Sequence, residues 1–327
     1  MSTALVVASL LVAAEEPVQP VAVRFWPGGG VSVEAFDGDI AIVGEVPDVY
    51  PATDTAAPFR TSPAVSQVLR VGGLNVLVTH DAAGLRGRMR DPEIVRVLAE
   101  ADVFVAPAEA SWGGPAAEVA EALKGVTLIL PASASDRPEG VVVVPHNTAA
   151  VAPRGTARTI ALGEEPFEMP GELATLFAAK EAACEASREV FAPLSAAQMN
   201  HRPADGSHTP RWNAEHMRGR ELLFFSQIYN ALDPAVPVMN MNPAQMPPDY
   251  EAAHPDWSGE REAEEMRRVE AFARRHAYLL AGLDLDKKAP GSRFWTPRGL
   301  LKQMDRHYTQ HTANVRKKFA AGDWPAE

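Results

Sequence analysis

The chain has 327 residues, of which 46% are hydrophobic, so two domains with a core each are expected. Its 31 basic and 42 acidic side chains give a formal net charge of −11, the opposite of the basic balance that binding to a phosphate backbone requires. We therefore predict no nucleic-acid partner. Cys184 is the only cysteine, which excludes an intramolecular disulfide and a cysteine-rich metal site.

The first 14 residues combine a short apolar run, residues 4–12, with small residues at positions 13 and 14. This pattern is typical of a signal peptide, although residues 2–14 contain no Lys or Arg. We interpret residues 1–14 as a candidate signal peptide and favour an exported or periplasmic protein over a cytoplasmic one. A first β-strand or a frayed leader is the alternative. No later stretch is long and apolar enough to predict a membrane span.

Residues 20–165 predict short strands separated by turns, with residues 37–38 (DG) as a hairpin signal. The predicted strands are residues 21–25, 31–36, 40–43, 74–79, 103–106, 126–130 and 141–144, of which the last four are continuous apolar runs typical of buried strands. Residues 91–101 and 115–124 have helical spacing instead. Strands that alternate with helices predict a layered α/β-type sheet domain.

Residues 166–171 contain two prolines and a glycine and predict a linker, after which the pattern changes to long helices. The helices are predicted over about residues 172–191, 209–233, 258–282 and 296–321. Thr209-Pro210 and Thr296-Pro297 each pair an N-cap residue with proline at the first helical position. A loop of about 25 residues, 233–257, joins the second helix to the third. We predict a two-domain α+β protein whose residues 168–321 form an up-down four-helix bundle with one long crossover.

Histidines recur on two of the predicted helices. His307 and His311 are four residues apart on the fourth helix, so both rings project from one face and can chelate a single ion. Apolar neighbours at helical spacing, such as Met304, indicate that this face points toward the core. His216, one turn after Trp212, lies on a similar inward stripe of the second helix.

A metal ion would offset the cost of burying three imidazoles in a bundle interior. We predict that His216, His307 and His311 bind a divalent metal ion, and three histidines with an open fourth position suit zinc. Nickel or ferrous iron can take the same ligands. The alternative is that no metal binds and the histidines hydrogen-bond to one another.

These motifs also carry a family resemblance. Residues 212–216 (WNAEH) resemble the W-x-x-x-H start of the second helix in the DinB-like family (the DinB superfamily), and residues 305–311 (DRHYTQH) resemble the H-x-x-x-H of its last helix. The resemblance covers all four helices and includes the loop sequence MPPDY. It implies that His216, His307 and His311 are the family's metal triad, usually zinc or nickel.

The resemblance implies a class of activity as well. Some relatives are metal-dependent transferases for low-molecular-weight thiols such as bacillithiol or mycothiol, and one group isomerises maleylpyruvate with a thiol. In such enzymes the metal lowers the pKa of the bound thiol. Many members have no assigned activity, and an exported protein would not meet a cytosolic thiol. Family bundles often pair through their helices, so a homodimer is also implied.

The remaining histidines and the cysteine receive structural interpretations. We expect His201 and His208 to be solvated in a loop, His254 to lie on the surface of the crossover loop, and His276 to be exposed on the third helix. Cys184 is expected to be a small buried hydrophobic residue rather than a nucleophile. None of these residues is assigned to the site.

The N-terminal half has a weaker resemblance. A strand followed by Thr-His opens the H-x-H-x-D-H motif of the metallo-β-lactamase-like fold, and His80 occupies its first position. Ala82, Gly84 and Leu85 stand where the second His, the Asp and the last His belong. We interpret residues 20–165 as a degenerate relative of the metal-dependent lactonase branch that has lost its metal site. Another α/β sandwich is the alternative.

Taken together, the sequence predicts a metal-dependent transferase or hydrolase that acts on a small electrophilic substrate, with a small molecule or thiol as its partner. The sequence assigns no catalytic residues and no particular substrate. The alternative is a non-catalytic binding or scaffold protein with a structural metal. An open coordination position would favour the enzyme, whereas a closed site with four protein ligands would favour the scaffold.

Overall fold

The computed structural model describes residues 6–7, 21–26, 30–36, 40–43, 59–61, 66–79, 92–106, 126–131, 133, 141–151, 158–163, 165–243 and 249–325. The chain divides into two compact units, Met1–Glu168 and Met169–Glu327. We call the first the strand unit and the second the helical unit, after the elements described in each. This distribution of sheets and helices agrees with the predicted α+β class.

The strand unit contains two sheets among its described residues. Its strands are β1 (Val6–Val7), β2 (Val21–Trp26), β3 (Gly30–Ala35), β4 (Ile40–Val43), β5 (Phe59–Thr61), β6 (Ser66–Val71), β7 (Leu74–Thr79), β8 (Val103–Val105), β9 (Thr127–Pro131), β10 (Val142–Val144), β11 (Thr148–Val151) and β12 (Thr159–Leu162). The helix α1 (Pro92–Glu100) lies between β7 and β8 in the chain. The helix predicted over residues 115–124 lies outside the described residues.

The first sheet has seven strands in the order β1-β6-β7-β8-β9-β12-β10. Its pairs are parallel except β6 with β7, which form an antiparallel hairpin. Gly72 and Gly73 form the turn of this hairpin with φ values of 55° and 78°, a backbone conformation that glycine adopts without steric cost. The parallel pair β7 and β8 needs a crossover connection, and α1 lies in that connection.

The second sheet has the order β11-β2-β3-β4-β5 and is antiparallel except for β4 with β5. The antiparallel pairing of β3 with β4 is the pairing that the predicted hairpin requires, although residues 37–39 lie outside the described part of the chain. Buried side chains of both sheets belong to a single core cluster, which includes Val23, Val33, Val76, Val105 and Ile160. The burial of this core accounts for the apolar runs in the sequence.

One strand differs from its predicted environment. Residues 141–144 were expected to form a buried strand, but Val142 and Val143 of β10 are 47% and 57% exposed. The reason is the position of β10 at the end of the seven-stranded sheet, where β12 is its one partner among the described strands. An apolar run indicates a strand without indicating whether that strand is central or at an edge.

The helical unit contains four long helices, α2 (Gly171–Phe191), α4 (Pro210–Leu232), α5 (Gly259–Arg275) and α6 (Pro297–Lys318), and the short helix α3 (Ala196–Met199). α2 and α4 each pack against both α5 and α6. The Thr209 and Thr296 hydroxyls accept hydrogen bonds from Trp212 N at 3.0 Å and from Gly299 N at 2.9 Å, so both predicted N-caps are present. In the described residues, no helix is both long enough and apolar enough to cross a membrane.

The third predicted helix ends earlier than expected. α5 stops at Arg275, and the 3-10 turn Ala277–Leu280 follows it. Ala277, Tyr278 and Leu280 of this turn are buried, so the apolar spacing continues through it and does not mark the change of helix type. His276, at the junction, is only 1% exposed and contacts the rings of Phe272 and Tyr229. The expectation that His276 is exposed is therefore wrong.

Buried charged groups fix how the long helices face one another. The Glu221 carboxylate of α4 accepts hydrogen bonds from Lys180 Nζ of α2 and from Tyr308 Oη of α6, each at 2.7 Å. All three side chains are fully buried. Because a buried carboxylate that loses one of its partners is costly, this contact strongly favours one register between the three helices. Tyr308 follows His307 directly, so the same contact positions the histidines of α6 against α4.

Candidate metal centre

The three histidines singled out by the sequence lie together in the helical unit. His216 comes from α4, and His307 and His311 come from α6. Each offers a ring nitrogen, and the three nitrogens lie within 4.8 Å of one another. The ring centroids are 4.5 to 5.1 Å apart. The nitrogens are close enough that small side-chain shifts would let all three bind one ion.

Two asparagines orient two of the rings. Asn242 Nδ2 donates to the carbonyl of Pro243, so its Oδ1 is free to accept a hydrogen bond from His216 Nδ1 at 3.0 Å. Asn213 Nδ2 donates to the carbonyl of Thr209, and its Oδ1 accepts from His311 Nδ1 at 2.7 Å. Both imidazoles are thereby assigned the tautomer with hydrogen on Nδ1. Their Nε2 lone pairs remain available to a ligand.

His307 is the most buried of the three. It is 9% exposed, and its Nδ1 has no hydrogen-bond partner within the described part of the chain. A buried imidazole nitrogen without a partner is costly. His307 therefore brings a buried ring with an unsatisfied nitrogen to the cluster.

The electrostatics of the cluster keep all three rings neutral. Burial lowers the pKa of His216 to about 4, with the neighbouring His311 and Arg220 adding to the effect. Burial, His311 and His216 lower the pKa of His307 to about 3. Burial and the nearby His208 lower the pKa of His311 to about 4. Neutral imidazole is the form that binds metals, so the site is in the ligand-competent state at neutral pH.

Two aromatic residues cover one side of the cluster. The Trp212 ring stacks on His216 with centroids 4.4 Å apart and 13° between planes, and it lies 5.9 Å from His311. His208 in turn contacts Trp212, with ring centroids 3.7 Å apart. The spacing of four residues between Trp212 and His216 predicts their contact. His208 was expected to be solvated, but it is partly buried against Trp212, a contact between a loop and a helix that spacing cannot indicate.

The crossover loop reaches the cluster because α4 has a glycine where the two meet. A Cβ on Gly219 would lie 2.6 Å from Asn242 Cα and 2.7 Å from Asn242 N. The loop backbone can lie this close to the helix only without a side chain at that position. Met239 N also donates to Ser226 Oγ at 3.0 Å. The loop thus supplies Asn242 to the site, whereas its neighbour Met241 is 42% exposed.

Arg220 places a positive charge beside the cluster. It follows His216 by one helical turn, and its guanidinium lies 5.8 Å from the Phe224 ring centroid. Among the described residues no carboxylate lies within ion-pair distance of it. An anionic group bound at the cluster would therefore face an unneutralised cation. Nothing in the sequence pattern distinguished Arg220 from the other arginines of α4.

The other residues considered in the sequence lie outside the cluster. His254 stacks on Trp257 at 3.8 Å, and His201 Nε2 lies 3.6 Å from Asp323 Oδ2. Cys184 is buried in the core of the helical unit, as expected. His80, together with Ala82, Gly84 and Leu85, falls outside the described residues.

Comparison with known families adds one finding. Residues 180–315 match the DinB superfamily. The match begins in α2 and ends in α6, so it includes His216, His307 and His311. The DinB resemblance carried by WNAEH and HYTQH is confirmed over these residues.

The DinB superfamily match covers less than half of the chain and lies wholly within the helical unit. No curated protein and no solved structure matches the chain. The comparisons therefore give no support to the metallo-β-lactamase-like resemblance of the strand unit, which stays a hypothesis.

Proposed function

We propose that the helical unit binds one divalent metal ion through His216, His307 and His311, and that the protein is a metal-dependent transferase or hydrolase for a small electrophilic substrate. The observation that carries the proposal is the number of ligands. Three imidazoles converge, and no Cys, Asp, Glu or further His of the described residues joins them at the same distance. A tetrahedral ion would then keep one position open, which is the arrangement of catalytic rather than structural zinc sites.

The donor set fits such an ion. The three rings are neutral at pH 7, and Asn213 and Asn242 occupy the Nδ1 positions of two of them, as carboxylates or carbonyls do in established histidine sites. A bound ion would give the buried His307 ring the polar partner that it lacks among the described residues. Zinc is the first choice for three imidazoles, and nickel or ferrous iron are alternatives.

An ion held there would lower the pKa of a bound water or thiol and so supply a nucleophile near neutral pH. The chain's own residues would do the rest. Arg220, one turn from His216, would attract and orient a negatively charged group of the substrate. Trp212 and His208 would exclude water from one side of the cluster.

The first experiment measures the metal content of the purified full chain by elemental mass spectrometry. We expect about one zinc or nickel per chain, and loss of that metal in His307→Ala. His254→Ala is the matched control, because His254 is a partly buried histidine that stacks on Trp257 outside the cluster. Absence of metal from the wild type, even after reconstitution, would disprove the proposal. Equal metal in His307→Ala and the wild type would disprove the assignment of the ligands.

A second experiment separates the enzyme from the scaffold alternative. The metal-loaded protein is assayed for thiol transfer to 1-chloro-2,4-dinitrobenzene and for hydrolysis of p-nitrophenyl acetate. His307→Ala serves as the metal-free reference in both assays. A rate above this reference in either assay supports the enzyme. Equal rates with a stably bound metal would favour the scaffold.

The proposal also includes the fold class of each unit, export of the chain and its oligomeric state. The packing of α2 and α4 against both α5 and α6 supports the four-helix-bundle class for the helical unit. The two-sheet core of the strand unit is compatible with a degenerate metallo-β-lactamase-like domain and equally with another α/β sandwich. Export of the chain, cleavage after residue 14 and a homodimer are further predictions.

A further inference from the structure

A cleft of about 560 Å³ lies beside the three-histidine cluster, within the helical unit. Its walls are the loop that precedes α4 and the C-terminal end of α6, and its lining includes Ser207, His208, Asn213, Lys317, Lys318 and Asp323. A volume of this size is within the usual range of small-molecule sites. Asn213 and His208 separate the cleft from the histidines, since Asn213 binds His311 and His208 packs on Trp212.

The acidic groups of the cleft are already engaged by its own wall. Asp205 Oδ1 accepts a hydrogen bond from Ser207 N at 2.8 Å. Asp323 Oδ2 accepts one from Ala204 N at 3.0 Å and lies 3.6 Å from His201 Nε2. These contacts hold the loop in place and leave the carboxylates less able to bind a cationic ligand.

The basic groups of the cleft are not engaged in this way. Lys318 is only 7% exposed, and its Nζ donates to Ser207 Oγ at 2.6 Å. An ammonium group has three N–H donors, so two of them have no acceptor among the described residues. Burial lowers the pKa of Lys318, and only Asp205 acts in the opposite direction. A buried ammonium is costly unless an anion accepts its remaining hydrogen bonds.

Lys317, on the same helical turn, adds a second positive charge to the lining. It is exposed and has no carboxylate partner in the described part of the chain. Two amines therefore line the cleft without forming an ion pair among the described residues, and Asp205 is the carboxylate whose charge acts on Lys318. Asp205 and Asp323 at its edge would repel a doubly charged phosphate more than a singly charged carboxylate.

We propose that this cleft binds a small organic carboxylate whose oxygens accept hydrogen bonds from Lys318 and Lys317. The ring of His208 would contact the polar remainder of the molecule. This site is distinct from the three histidines and does not require a metal ion there.

The probe is N-acetylglycine, which joins a carboxylate to an amide, and its neutral isostere N-acetylglycinamide is the matched ligand. Binding to the full chain is measured by ligand-observed NMR and by calorimetry. We expect the carboxylate to bind at least about tenfold more tightly than the amide, because hydrogen bonds to charged groups are the stronger ones. Inorganic phosphate is expected to bind more weakly than N-acetylglycine.

The variants are Lys318→Met, which keeps the buried aliphatic stem, and Lys317→Met, which changes an exposed residue and so leaves folding intact. Lys302→Met, an exposed lysine of α6 outside the cleft lining, is the control. We expect weaker binding of about tenfold for Lys318→Met, about threefold for Lys317→Met and no change for Lys302→Met. Unchanged affinity in both cleft variants would overturn the proposal, as would equal binding of the neutral amide or tighter binding of phosphate.

His307→Ala separates this proposal from the metal centre. We expect N-acetylglycine to bind His307→Ala as it binds the wild type. Binding that is lost in His307→Ala but kept in Lys318→Met would place the carboxylate at the histidines and overturn the cleft. Absence of metal from the wild type would disprove the proposed function and leave the cleft unaffected.

Discussion

Acidification of the metal-free protein should destabilise the helical unit through the three clustered histidines. Burial, with smaller effects from neighbouring histidines and Arg220, lowers their pKa values to about 3 or 4 in the folded chain, against an ordinary value of about 6.5. Between these values the unfolded chain binds more protons than the folded one. The free energy of unfolding therefore falls as the pH is lowered from about 6.5 toward 4.

The magnitude follows from proton occupancy. At pH 5.5 an unfolded histidine is about 90% protonated, whereas a folded one with a pKa of about 4 stays neutral. This difference costs about 1.4 kcal/mol per histidine relative to pH 8, and about 4 kcal/mol for the three. This loss per histidine changes little with the pKa in the folded chain, as long as that pKa lies below about 5. A loss of this size is a large part of the stability of a typical domain.

Other groups also titrate, so the test compares variants. The pKa values of His146 and His208 are lowered by burial and act in the same direction, whereas burial raises the pKa values of Glu262 and Glu270. These contributions cancel when the wild type is compared with His307→Gln.

The assay is urea unfolding at pH 8 and pH 5.5, followed by ellipticity at 222 nm, to which the helices contribute most. We expect the decrease in the free energy of unfolding from pH 8 to pH 5.5 to be about 1.4 kcal/mol smaller in His307→Gln than in the wild type. His254→Gln, a histidine outside the cluster, should resemble the wild type. Equal losses in His307→Gln and the wild type would refute the reasoning, because His307 would then titrate alike in both states.

Three further results are expected. Asn213→Ala and Asn242→Ala should each weaken zinc binding by about 10- to 100-fold, because each removes the acceptor that orients a histidine. The measurement is a competition titration with a chromophoric chelator, and an unchanged zinc affinity would contradict this role. Tyr308→Phe should lower the free energy of unfolding in urea by about 2 kcal/mol, because the buried Glu221 loses a hydrogen-bond donor at 2.7 Å. A decrease below about 0.5 kcal/mol would be inconsistent with that hydrogen bond. Gly219→Ala gains about 1 kcal/mol of helix propensity, but its Cβ would lie 2.6 Å from the loop backbone, and moving that backbone costs about 1–3 kcal/mol. We therefore expect no net stabilisation and weaker zinc binding. A raised melting temperature would argue against the close approach of loop and helix.

The sequence was informative where local rules decide the structure. The Thr-Pro pairs begin α4 and α6 because an N-cap hydroxyl and a proline at the first helical position are both local requirements. His307 and His311 share a face because they are four residues apart on one helix. Placing His216 near them required only that α4 and α6 be neighbours and that its apolar stripe face inward.

The sequence was silent where distant segments meet. Asn242 reaches His216 from the crossover loop, and His208 reaches Trp212 from the loop before α4, and no periodicity describes either contact. The burial of His276 depends on the change from α5 to a 3-10 turn. The exposure of β10 depends on its place in the strand order. Each is a property of tertiary arrangement.

The origin of the three histidines on two separate helices also has a consequence for how the protein assembles. His307 and His311 come together as soon as α6 is helical, whereas His216 joins them only after the chain between α4 and α6 has closed into a loop. A nascent chain would therefore hold an ion with two ligands first and acquire the third when α4 docks. In reverse, any fluctuation that parts α4 from α6 would leave an ion bound at the proposed site with two ligands. Metal release would thus be an early event in unfolding, and free zinc a sensitive indicator of local opening.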